Sequence, residues 1–146
     1  MTDVLIILKK LAMLREHMAR IRRRRPSTRE AFEADVDIQD ALALSFLVAV
    51  QEANDIAMHM TADEAWGLAG SYAEAFKLLA NNGVISLEHA RQLASVAAVR
   101  NRIARDYASL DPGQLWSELP AGLDALERFV EAIARITDDS NAASSE

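Results

Sequence analysis

Residues 100–107, RNRIARDY, place three guanidinium groups, one side-chain amide and one phenol in a single short run. Guanidinium is planar and permanently charged, and its forked N–H groups match two oxygens of one phosphate. The surroundings make the run stand out. Residues 1–34 carry 9 basic and 4 acidic side chains, a net of +5, whereas residues 35–146 carry 7 basic and 18 acidic, a net of -11. Arg100, Arg102 and Arg105 are three of those 7, so they form the one basic island of an acidic stretch within a chain of net charge -6. Such an island is either a local anion-binding surface or, as most charged runs are, a solvated turn of helix.

Helical geometry limits what the island can do alone. Five steps of about 100° put positions 100 and 105 roughly 140° apart, so one straight helix does not aim both at one phosphate. A bend, or a second copy related by a two-fold axis, could do so. Arg100, Ile103 and Tyr107 follow steps of three and four and are expected on one face.

The elements that must position this run are helices. Hydrophobic residues make up 51% of the 146, with only 5 Gly and 3 Pro, which suits a compact all-α bundle of one domain, residues 1–137, followed by a frayed polar tail, DDSNAASSE, at 138–146. Val4, Ile7, Leu8, Leu11, Leu14, Met18 and Ile21 repeat at helical spacing and predict a helix over 3–24, ended by Pro26. Ser27 with Glu30 reads as a capping box for a short helix near 28–34. Between Ala41 and Val50 apolar residues cover nearly every face, which marks the helix over 36–60 as the central one or as the seam of an oligomer. A loop follows over 61–70. Ser71 with Glu74 starts a helix that Asn82-Gly83 stops, and Ser86 caps the next, which the pattern carries to about 109. Asp111-Pro112 opens a short helix ending before Pro120, and the last helix covers 121–137.

Composition also excludes chemistry. With no cysteine there is no disulfide framework, thiolate zinc site or cysteine nucleophile. His17, His59 and His89 have no partner at metal-ligand spacing; they read as surface or helix-end residues, and no metal or cofactor is expected. The first residues, MTDVLIILKKLAML, lack the pattern of a signal peptide, and the longest apolar run, ALALSFLVAV, is shorter than the roughly 18 residues that suggest a membrane span. A soluble, cytoplasmic protein is expected. Arg22 to Arg25 could serve as an RNA-backbone patch, but reads first as the charged, dipole-favoured end of a helix. Trp66 and Trp116 read as core or interface anchors.

The segment SYAEAFKLLANNGVISLEHARQLASVAAVRNRIARDYASLDPGQLW, residues 71–116, resembles the HepT-like branch of the HEPN superfamily, and the fit extends over about 36–135 through the central helix and LPAGLDALERFVEAI. Members are helical toxins of bacterial toxin–antitoxin pairs, each encoded beside a minimal nucleotidyltransferase antitoxin. The family motif is an arginine, a polar residue, a spacer, a histidine, any residue and a tyrosine. The resemblance places the arginine at Arg100, the polar residue at Asn101 and the tyrosine at Tyr107; the histidine position holds Arg105.

The resemblance implies a homodimer forming one composite cleft, metal-independent cleavage of RNA, Arg100 on the scissile phosphate with Asn101 orienting it, RNA contacts from Arg102 and Arg105, and transfer of AMP to Tyr107 by the antitoxin. The departure at 105 falls on the acid/base group. An imidazole can take the 2'-hydroxyl proton and return one near neutrality; a guanidinium stays protonated, with a pKa above about 12. The expected state is a toxin that keeps the phosphate-binding half of its site and lacks the proton-transfer half. Two other readings stand beside it: a non-enzymatic dimeric module that docks the nucleotidyltransferase and accepts AMP on Tyr107, and a plain helical scaffold with solvated arginines.

Overall fold

A helix leaves the first N–H groups of its backbone unpaired, and a short polar side chain just before it can take them. In the computed structural model, which describes residues 2–144 and their side chains as far as residue 139, Asp3 accepts from the N–H groups of Leu5 and Ile6 and opens α1, Val4–Arg24. Thr28, Asp35, Ser71 and Ser86 do the same for α2 (Arg29–Glu33), α3 (Val36–Asp63), α4 (Tyr72–Asn81) and α5 (Leu87–Arg105). Asp111 Oδ1 accepts from Gly113 N–H at 2.9 Å and starts α6, Pro112–Ser144. Gly83, at φ +78°, supplies the left-handed exit after α4 that Asn82-Gly83 predicts. Among the described residues there is no strand, so the fold is all-α.

Five boundaries differ from the sequence reading, the first four for a physical reason. Thr28, not Ser27, caps α2, its hydroxyl accepting from Ala31 N–H at 3.2 Å. The central helix runs on to Asp63, because Thr61 is buried and its hydroxyl returns to Met58 O at 3.0 Å. Helix α5 stops at Arg105 rather than near 109. After Ile103 no side chain is buried until beyond Leu110, so a further turn would gain little packing. The largest difference is α6, which passes through Pro120 without a break. A proline inside a helix costs about 3 kcal/mol. Leu115, Leu119, Leu123, Leu126, Phe129, Val130 and Ile133 form one buried stripe on both sides of it. At about 1.5–3 kcal/mol each, their burial outweighs the proline, which is exposed. The backbone of α6 is helical as far as Ser144, past residue 138 where a tail was expected; residues 145 and 146 lie outside the described residues.

Helices α1 and α3 lie antiparallel. Thr2 donates to Glu64 Oε1 from its backbone N–H at 3.0 Å and its hydroxyl at 2.7 Å, Asp3 N–H donates to Asp63 Oδ2 at 3.2 Å, and Lys10 reaches Asp55 at 3.5 Å. Helix α3 touches every other helix and is the centre of the bundle. One 18-residue window of it has mean hydropathy 1.3, apolar and long enough by composition to cross a membrane, yet 56% of that window is buried inside the protein, as in a core helix. Its burial is not complete: Val36 is 64% and Leu44 63% exposed.

Helix α6 approaches α3 through Gly122. A Cβ at that position would lie 2.9 Å from Phe46 Cε2 and 3.0 Å from Cζ, and Phe46 is 1% exposed. Gly122→Val is expected to destabilise the fold by about 1–3 kcal/mol through overpacking, more than the helix-propensity gain of a few tenths to 1 kcal/mol on losing glycine. A urea midpoint checks it.

Candidate functional site

The last two turns of α5 carry the arginine island, and its three guanidinium groups have different fates. Arg100 is half-buried; its Nη1 donates to Asn101 Oδ1 at 3.2 Å, and its Nε is buried without a partner. Arg102 is committed to α6, where its Nη2 donates to both carboxylate oxygens of Glu118 at 2.7 and 2.8 Å. Arg105, the last residue of α5, is exposed and makes no hydrogen bond or ion pair among the described residues. Asn101, Arg102 and Arg105 line a cavity of about 470 Å³ between the end of α5 and the start of α6, closed by Asp106, Ser109, Asp111 and Gln114. With Arg102 neutralised by Glu118, Arg105 is the uncommitted cation there. Asp106 and Asp111 bring two carboxylates to the same lining, and no imidazole lines it.

Tyr107 does not share a face with Arg100 and Ile103, as an unbroken α5 would require. The chain leaves helical geometry at Asp106 (φ -149°, ψ 57°) and turns through the 3-10 segment Tyr107–Ser109. Ile103 stays in the core at 4% exposure, while Tyr107 swings to the start of α3, where its hydroxyl donates to Asp40 Oδ1. The ring is 40% exposed. Burial of the hydroxyl, then the hydrogen bond to Asp40 and its negative charge, push the phenol pKa up to about 12. A separate depression of about 190 Å³ contains Tyr107 and Asp40, with Val36, Gln39, Leu110 and Pro112 among its walls. Within one chain, then, Asn101, Arg102 and Arg105 meet and Tyr107 faces elsewhere.

His17 and His89 are both buried, and His89 keeps the expected helix-end position in the first turn of α5. His89 is 5% exposed and its Nε2 lies 2.9 Å from Ala125 O, tying the first turn of α5 to α6; His17 is 8% exposed, with a buried Nδ1 that has no partner. His89 lines a cavity with Gly83, Ser86 and Arg128, not the one holding Arg105. It is a structural tie rather than a substitute base. Burial lowers the pKa of both imidazoles, aided by Arg128 at His89 and by Arg20 at His17, while the Ala125 hydrogen bond partly opposes it at His89. The folded state therefore disfavours their protonation. Their contribution is present above the ordinary histidine value of about 6.5 and is lost as pH falls below it, where the unfolded chain binds more protons. The urea midpoint is expected to fall from pH 7.5 to 5.5, and a His17→Asn, His89→Gln double variant to fall less.

The run at the end of α1 divides in two. Arg22 pairs with Glu127 at 2.9 Å, and Arg25 stacks over Trp116 at 4.4 Å, so both tie α1 to α6; Arg23 and Arg24 point outward in the last turn. Trp116 also meets Phe32, at 5.5 Å between ring centres, and Trp66 packs against the core, as anchors would.

Asp40 and Glu118 are the residues that sequence reasoning missed. Asp40 lies 67 positions from Tyr107 and reads in sequence as an ordinary acid in the early turns of a helix. Glu118 is similarly unremarkable until α5 and α6 are placed side by side.

Known proteins match this chain over most of its length. The profile of the ribonuclease HepT-like family fits residues 14–133. The mRNA nuclease HepT of Shewanella oneidensis is 26% identical over 128 residues, 88% of this chain and 96% of that protein. The tri-AMPylated Shewanella oneidensis HEPN toxin, solved in complex with MNT antitoxin, superposes with a TM-score of 0.82 at 26% identity, over 92% of this chain and 99% of that one. A mutant form of the MntA–HepT toxin–antitoxin gives 0.81 at 25% identity, over 89% and 98%. YutE of Bacillus subtilis, described as a cytosolic protein of unknown function, gives 0.81 at 19% identity over 95% and 93%, a likeness of fold.

Proposed function

The chain belongs to the ribonuclease HepT-like family, and we propose that it is the toxin of a toxin–antitoxin pair whose RNA-cleaving chemistry is disabled at position 105. Residues 1–137 act as one folded unit in the cytoplasm. RNA enters the cavity at the end of α5, where Asn101 and Arg105 meet its phosphates; Arg100, which does not line that cavity, grips the scissile phosphate in the composite cleft that a homodimer forms. No group there moves a proton near neutrality, because Arg105 occupies the place of the acid/base histidine. The observation that carries this reading is the exposed, unpaired Arg105 at the rim of the cavity that Asn101 also lines, in a fold matching an AMPylated HEPN toxin over nearly its full length. The test is to compare RNA cleavage and growth arrest by this chain and its Arg105→His form without divalent metal.

The partners follow from the same reading. A minimal nucleotidyltransferase antitoxin transfers AMP to Tyr107, whose 40% exposure leaves it open to a second protein. A homodimer completes the cleft, since one chain does not gather Arg100, Arg105 and Tyr107 into one cavity. The uncovered stripe of α3 bearing Val36 and Leu44 supports a seam on that helix. Leu44→Glu is expected to weaken self-association at least about tenfold, or 1.4 kcal/mol, by sedimentation equilibrium, with helicity unchanged. The second reading, a binding module that only docks the antitoxin and accepts AMP, is favoured by Arg105 itself and is what remains if Arg105→His is inert.

A further inference from the structure

From the contact between the start of α3 and the turn after α5, we infer that Asp40 is the base that takes the proton of Tyr107 when that tyrosine receives a nucleotidyl group. The inference rests on the reading of Tyr107 as the acceptor. The Tyr107 hydroxyl already donates to Asp40 Oδ1, so the carboxylate touches the atom that must become the nucleophile. It is also held in place. Gln39, its neighbour, donates from Nε2 to Phe32 O at 2.9 Å and Glu33 O at 3.0 Å, and Asp35 caps the helix by accepting from Ile38 N–H at 3.1 Å. The first turns of α3 are thereby pinned to the end of α2, and Asp40 projects from a fixed frame rather than a loop.

A partner for the proton is needed because this phenol is a poor one to ionise beforehand. With a pKa of about 12, it is almost wholly protonated at neutral pH. Attack therefore requires proton removal during bond formation, which a positioned carboxylate provides. The Tyr107 oxygen forms a bond to the α-phosphorus of a nucleoside triphosphate bound by the transferase. The bond from that phosphorus to the oxygen bridging the β-phosphate breaks, and pyrophosphate leaves with the electron pair. The phenol proton passes to Asp40 and, since Asp40 is exposed, on to water. Afterwards the ester oxygen has no proton to donate, and a phosphodiester anion stands beside the carboxylate, so the contact that set up the transfer does not survive it.

The test uses the full chain, a minimal nucleotidyltransferase antitoxin of the MntA type and radiolabelled ATP, with the modified residue mapped by mass spectrometry. Asp40→Asn is expected to slow labelling of Tyr107 at saturating antitoxin by about a hundredfold or more, the usual share of a general base. Asp40→Glu, which keeps the carboxylate, is expected to recover much of the rate, and both variants should bind antitoxin and keep the parental helical signal. Labelling of Asp40→Asn at the parental rate overturns the role of Asp40 and leaves Tyr107 as acceptor. Undiminished labelling of Tyr107→Phe, or none of the parent, removes the acceptor reading and this inference with it.

Discussion

An Arg105→His chain is expected to cut RNA in the presence of a metal chelator at least about a hundredfold faster than the parent, and to arrest growth where the parent does not. A positioned acid/base group contributes about 10²–10⁴-fold, or roughly 3–5 kcal/mol of barrier. Position 105 is favourable for receiving one. It ends α5, it is exposed, and its side chain has no ion pair to lose, so the exchange leaves the fold alone. Its place at the rim of the cavity sets an imidazole within reach of whatever Asn101 and Arg102 face. The negative end of the α5 dipole favours the protonated ring, which keeps its titration close to neutrality, where a base must also be able to give the proton back. Cleavage should follow a bell-shaped pH profile that the parent lacks. If the histidine form neither cuts RNA nor arrests growth while still binding the antitoxin, the nuclease reading of this chain fails and the docking module takes its place.

How much of this was legible in the sequence differs by kind of information. Caps and apolar spacing are local, and Asp3, Ser71, Ser86 and Asp111 start helices where their chemistry says they should. The failures came where distant packing overrides a local rule. Pro120 ought to break a helix, yet the leucine stripe running past it binds both halves to one core. His17 and His89 read as surface or helix-end residues, and His89 does sit at a helix start, but nothing local reveals that His17 is buried or that the His89 ring is tied to Ala125 O of α6. The site divides in the same way. Arg100, Asn101 and Arg105 stand out by type and spacing, but that Arg102 is tied to Glu118, or that Tyr107 turns from α5 to meet Asp40, depends on residues 16 and 67 positions away.

Arg100 gives the second large effect, and it separates binding of charge from transfer of protons. In the Arg105→His background, Arg100→Ala is expected to reduce RNA cleavage by about 10²–10³-fold, the usual cost of losing a fixed donor to a developing oxyanion. The loss should not come from unfolding. The Nε of Arg100 is already a buried donor without a partner, and its one side-chain hydrogen bond, to Asn101, joins neighbours on the same helix. Removing it relieves an unsatisfied group, so the thermal midpoint should hold or rise slightly. Arg100→Lys should recover little, because an ammonium keeps the charge but not the two-pronged grip on phosphate oxygens. The acid/base limbs of the pH profile should stay where histidine puts them, since Arg100 transfers no proton. A variant that shifts those limbs instead of lowering the plateau would place Arg100 beside the base rather than on the phosphate, and would reverse the division of labour assigned to the two ends of this motif.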